Sequence, residues 1–107
     1  MKLTDHENRV LSCLVQRLRR ELGAGEILVY GSAARGTMDD DSDIDLLVVF
    51  REVTWDIERR VNELCFYAGL DCDRLISTAL FTQNELTDSP LRLSPMVLNA
   101  RKDAVPL

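Results

Sequence analysis

The stretch Ile44-Asp45-Leu46-Leu47-Val48-Val49-Phe50 constrains this chain more than any other. A strand with one wet face alternates apolar and polar residues. One that is apolar at successive positions is covered on both faces. In a chain of 107 residues, this run predicts a central strand with the other elements arranged around it.

The flanking segments supply the covers. Thr4 followed by Glu7 is a capping-box pattern. Behind it Val10, Leu11, Leu14, Val15, Leu18 and Leu22 recur at helical spacing, while Arg17, Arg19, Arg20 and Glu21 fall on the opposite face. An amphipathic helix over about 5–22, ended by Gly23 and Gly25, follows. Ile27–Tyr30 reads as a short strand. Ala33-Ala34-Arg35 can make one helical turn before Gly36, and residues 37–42 form a polar, acidic loop. Thr54 can cap a second long helix, with Val61, Leu64, Cys65 and Ala68 on its buried face and Gly69 at its end. Leu75–Phe81 reads as a third strand and Asn84-Glu85-Leu86 as a short helical turn. Ser94 and Pro95 open a last short helix. Val105-Pro106-Leu107 either adds an edge strand or trails off.

The connection between the first two strands is too short for a helical crossover, so they are predicted to be antiparallel neighbours. The third arrives through a helix and is predicted to run parallel to the second. The expected class is α/β of the α+β kind: a small mixed β-sheet with helices packed on it, residues 1–107 forming a single domain.

Composition narrows the function classes. The net charge is −5, which disfavours a protein that grips long nucleic acid through its phosphates. No apolar run approaches the ~20 residues needed to span a bilayer, and residues 1–7 lack the apolar core of a signal peptide. A cytoplasmic location is the default expectation. Cys13, Cys65 and Cys72 are odd in number and form no CxxC pair, so buried or half-buried free thiols are expected.

The chemistry concentrates in residues 30–48. Asp39, Asp40, Asp41, Asp43 and Asp45 crowd one stretch. Carboxylates this close repel one another and need cations or solvent. Asp43 and Asp45 stand two apart at the mouth of the apolar strand. Strand periodicity turns both to one face, about 6–7 Å apart, a spacing that suits hard divalent cations completed by phosphate oxygens. Just before them, Gly31-Ser32 lies between a strand and a helical turn. Gly31 permits close approach to the backbone, and Ser32 offers a hydroxyl and an amide where anions are favoured. An EF-hand reading of the alternating aspartates fails, because no glycine stands at the loop's sixth position.

Taken together, Tyr30-Gly31-Ser32-Ala33-Ala34-Arg35-Gly36 followed by Ser42-Asp43-Ile44-Asp45-Leu46-Leu47-Val48 resembles the minimal nucleotidyltransferases of the DNA polymerase β-like superfamily. The resemblance implies a polymerase β-like nucleotidyltransferase fold over residues 1–107. It implies that Gly31 and Ser32 bind the nucleotide phosphates, and that Asp43 and Asp45 bind two magnesium ions. Arg35 either reaches phosphate or pairs with the acidic loop. A third carboxylate is expected on the strand after the crossover helix. Asp71 and Asp73 are the candidates, and Asp73 shares parity with Ser77 and Ala79. Ser77 and Thr78, within the strand itself, are poor bases and poor ligands.

Two functions follow from the resemblance. In one, the chain transfers a nucleotidyl group, AMP from ATP in the simplest case, to a hydroxyl of an acceptor that can be a partner protein. In the other, a weakly active or inactive domain serves as an antitoxin by binding a helical partner of the HEPN type. A domain this small, with an apolar last third, can also form a homodimer.

Overall fold

Strand β2 (Ile44–Phe50) lies inside a four-stranded mixed sheet. It pairs antiparallel with β1 (Ile27–Tyr30), Tyr30 opposite Asp45, and parallel with β3 (Ile76–Thr82), Asp45 opposite Ser77. The two-residue β4 (Val105–Pro106) extends the sheet beyond β1, giving the order β3-β2-β1-β4. The computed structural model describes residues 3–37, 39 and 42–107. Asp40 and Asp41 of the expected acidic loop lie outside the described residues.

The parity of β2 divides the core in two. Ile44, Leu46, Val48 and Phe50 join one cluster with Leu11, Leu14 and Leu18 of α1 (Asp5–Leu22) and with Val61, Leu64 and Cys65 of α3 (Trp55–Cys72). Leu47 and Val49 point the other way. They pack with Leu28 and with Ala100 of α5 (Pro95–Asp103), and Leu86 of α4 (Gln83–Thr87) closes over them. The short helix α2 (Gly31–Arg35) fills the turn between β1 and β2. A 3-10 turn over Pro90–Leu93, not foreseen in the sequence, precedes α5. No helix among the described residues is long and apolar enough to cross a membrane.

Helix α1 begins with the expected capping box. Glu7 N–H donates to Thr4 Oγ1 at 3.1 Å, and Thr4 N–H donates to Glu7 Oε1 at 2.9 Å. Gly23, in the left-handed region at φ 75°, ends it. The second oxygen of Glu7 accepts a hydrogen bond from Arg74 Nε. Glu7 is thereby buried, 6% exposed, in an ion pair. Burial pushes its pKa up, but the Thr4 amide and the Arg74 guanidinium outweigh burial and leave it lowered.

Helix α3 departs from the sequence expectation at its end. Gly69 does not stop it; the helix runs on to Cys72 and closes at Asp73, in the left-handed region at φ 55°. Gly69 is instead a packing glycine. A Cβ there would lie 2.5 Å from the carbonyl oxygen of Arg74, where the chain doubles back. Strand β3 accordingly starts at Ile76, one residue later than expected. Among the cysteines, Cys65 and Cys72 are buried, whereas Cys13 is exposed rather than half-buried. Burial pushes the Cys65 thiol up to about 11.

Two outcomes follow. Gly69→Ala would improve helix propensity by about 1 kcal/mol. The forced contact with a backbone oxygen costs about 1–3 kcal/mol, so a net loss of stability is expected in urea unfolding. An unchanged midpoint contradicts the packing role. Separately, a carboxylate with a lowered folded pKa lends stability above the unfolded value of ~4.3, and that stability is lost as pH falls through the folded value. Thermal melts from pH 7 down to 3 should therefore show a steeper acid loss in the native chain than in Glu7→Gln. Parallel curves would contradict the pairing.

Candidate active site

The β1–β2 register assembles the site. Because Tyr30 stands opposite Asp45, the next residue, Gly31, sits directly against the Asp45 side chain. Gly31 has φ +71°, and a Cβ there would lie 2.7 Å from Asp45 Oδ2. Glycine is required twice over, for its backbone conformation and for room. The chain turns at Gly31 into α2, which ends at Gly36 in the left-handed region. Thr37 N–H donates to Ser32 O at 3.0 Å and closes the turn.

Asp45 shares the β2 face of Leu47 and Val49, the side covered by α4 and α5. Asp43 precedes the strand and is exposed, while Asp45 is half-buried. The pKa of Asp45 is raised, first by burial and then by the negative charge of Asp43; Arg35 offsets this in part. Asp43 is thus close enough for its charge to oppose the ionisation of Asp45. Tyr30 is raised as well, by burial and by the Asp45 charge. Two hard oxygen donors that repel each other, beside a turn with an open backbone, are a donor set that suits a divalent cation shared with phosphate.

Arg35 pairs with a residue outside the acidic loop. Its guanidinium lies 3.7 Å from Asp103 at the end of α5 and remains half exposed. From there its positive charge still reaches Asp45. Ser32 is partly exposed in the first turn of α2, next to Gly31.

Asp73 is not brought to the pair. It forms the left-handed cap of α3 and lines a cleft with Thr4, His6 and Glu7 at the start of α1. The expectation rested on strand parity, but the strand begins only at Ile76, so parity does not extend back to residue 73. The β3 residue opposite Asp45 is Ser77, partly exposed. Asp71 lies within α3, its carbonyl accepting from the His6 ring at 2.7 Å. Among the described residues no three His, Cys, Asp or Glu side chains gather as a metal cluster.

Arg74 belongs to the site's surroundings as well. Its Nη1 donates to Asp39 O at 2.8 Å and to Ser42 O at 2.9 Å, while its Nε binds Glu7. An arginine between a helix and a strand carries no local signal of such contacts.

Residues 11–94 match the sequence profile of the nucleotidyltransferase domain family. A stretch of 44 residues, 41% of the chain, is 43% identical to the protein adenylyltransferase MntA of Thermococcus cleftensis, and it spans 44% of that protein's length. A crystal structure of a toxin–antitoxin with AMP-PNP superposes with TM-score 0.58 at 22% identity, covering 94% of this chain and 70% of that one. A structure assigned as a minimal nucleotidyltransferase superposes with TM-score 0.53 at 28% identity, covering 94% of this chain and 88% of that one.

Gly31→Ala tests the packing of the turn on the carboxylate. The left-handed conformation alone costs an alanine about 1–2 kcal/mol. A lowered melting temperature is expected, together with rotation of the Asp45 side chain in a crystal structure of the variant. An unmoved Asp45 with unchanged stability would show that the turn does not confine it.

Proposed function

The chain belongs to the nucleotidyltransferase domain family, and on that premise we propose that it transfers a nucleotidyl group, AMP from ATP, to a hydroxyl of a partner protein. The observation that carries this is the contact of the Gly31 turn with Asp45, beside Asp43. A phosphate held at the turn would lie next to the carboxylate pair. The neighbouring toxin–antitoxin structure with AMP-PNP and the adenylyltransferase relative support nucleotide, AMP and protein acceptor in turn.

In this reading residues 1–107 act as one domain. Gly31 and Ser32 seat the triphosphate. Asp43 and Asp45 hold magnesium, two ions as the resemblance implies, with phosphate oxygens supplying further ligands. Held there, the metal would supply neutralisation of the charge on the attacking and leaving oxygens. The acceptor oxygen forms a bond to the α-phosphorus, the bond to the bridging oxygen breaks, pyrophosphate leaves and the hydroxyl proton is lost. Asp103 holds Arg35 at the rim, where its charge adds to the field around the phosphates rather than joining the acidic loop. Asp73, the cap of α3, takes no part in this reading.

A second reading has its own observation. Helix α3 exposes Trp55 (73%), Phe66 (62%), Tyr67 (59%) and Leu70 (63%). Ser77 stands beside Asp45 where an acid would strengthen the site. Both features suit a domain that acts by binding a helical partner of the HEPN type, with transfer weak or lost.

Transfer of label from [α-32P]ATP to a co-purified partner, with magnesium, separates the two. The native chain should label the partner, and Asp43→Ala/Asp45→Ala should reduce labelling by about 100-fold or more. Partner binding without labelling by either form would favour the second reading.

A further inference from the structure

We propose that Arg74 is a positioning residue for the carboxylate pair, setting where Asp43 stands by holding the loop in front of it. The inference rests on the reading of Asp43 and Asp45 as cation ligands.

Asp43 lies outside β2, so no ladder bond of its own strand fixes it. Its two neighbours are fixed instead, and by consecutive residues of one distant segment. The carbonyl of Ser42 accepts from Arg74 Nη1 at 2.9 Å. The amide of Ile44 donates to Leu75 O at 2.9 Å. The backbone of Asp43 is therefore bracketed by residues 74 and 75, some thirty positions later in the chain. The same Nη1 reaches Asp39 O at 2.8 Å, and Asp39 O also accepts from Ser42 N at 3.2 Å. Asp39 and Ser42 are further tied through their side chains, Ser42 Oγ to Asp39 Oδ1 at 3.0 Å and Asp39 N to Ser42 Oγ at 2.9 Å. The guanidinium thus grips two carbonyls whose residues, Asp39 and Ser42, are bonded to each other.

What holds the guanidinium is Glu7. The Arg74 side chain is 11% exposed and that of Glu7 8%. Burying such a pair is expensive, and an apolar pair of similar volume would often serve stability as well or better. A guanidinium does what an apolar group cannot: its rigid fork binds a carboxylate with one nitrogen and two carbonyls with another. An ammonium has one centre and cannot span both sites. The chain α1 cap, Glu7, Arg74, Ser42, Asp43 is a continuous set of bonds, and its last member is a proposed metal ligand. Groups that orient ligands in this way commonly change metal affinity 10- to 100-fold when altered.

Manganese binding to the full chain, read by electron paramagnetic resonance without nucleotide or turnover, tests this. Arg74→Lys keeps the charge and should weaken Mn2+ about tenfold. Leu18→Ala, a core change in α1 that lowers stability without touching the loop, should leave Mn2+ affinity as in the native chain. That contrast separates positioning from stability. Should Arg74→Lys fail to fold, Glu7→Gln, whose amide oxygen can still accept from Thr4, should weaken Mn2+ in the same direction. Native affinity in the folded Arg74→Lys chain, or in Glu7→Gln used in its place, overturns the proposal. So does an equal loss in Leu18→Ala. Failure of the native chain to bind Mn2+, or binding unaffected by Asp43→Asn/Asp45→Asn, would instead overturn the cation site itself.

Discussion

The burial of β2 on both faces is the constraint on which the rest depends. A strand with nowhere to expose its side chains must be bonded on both edges and covered on both sides. Its register then becomes expensive to change, because a slip by one residue would carry Asp45 into the apolar layer of α1 and α3. The same alternation that sends Ile44 and Leu46 into that layer sends Asp45 to the α5 side. Packing and site geometry are thus two results of one periodicity.

Electrostatics reinforces this arrangement. Burial and the Asp43 charge both raise the Asp45 pKa, and the nearby arginine only partly compensates. Arg35 is drawn toward Asp103 on α5. Asp45 is left with its charge only partly offset. A fold optimised for stability alone has little reason to keep an acid in this state.

Much of this was legible in the sequence because it is local. The capping box at Thr4 and Glu7, the run of β2, and the glycines at 23 and 36 each act within a few positions of themselves. The features that sequence could not reveal depend on distant partners. Gly69 has the form of a helix stop, yet its lack of a side chain serves the passing carbonyl of Arg74. Asp73 has the parity of a β3 residue, but the left-handed cap keeps it out of the strand. The contacts of Arg74 with Glu7, Asp39 and Ser42 join three segments far apart in sequence. Periodicity carries no information about such pairs. Ser77 and Thr78 were both legible as poor ligands on the third strand, and only the register shows that Ser77 is the one opposite Asp45.

The asymmetry of the sheet has a mechanical consequence. Amides of a strand bonded on both edges exchange with solvent only in large-scale opening, whereas a two-residue strand at the margin is released by small fluctuations. Asp45 rides on the first kind, and β4, which follows directly on α5, is the second. The molecule therefore has a stiff anvil under Asp45 and a more yielding flank beside it. Outward movement of the α5 side would leave the backbone position of Asp45 unchanged.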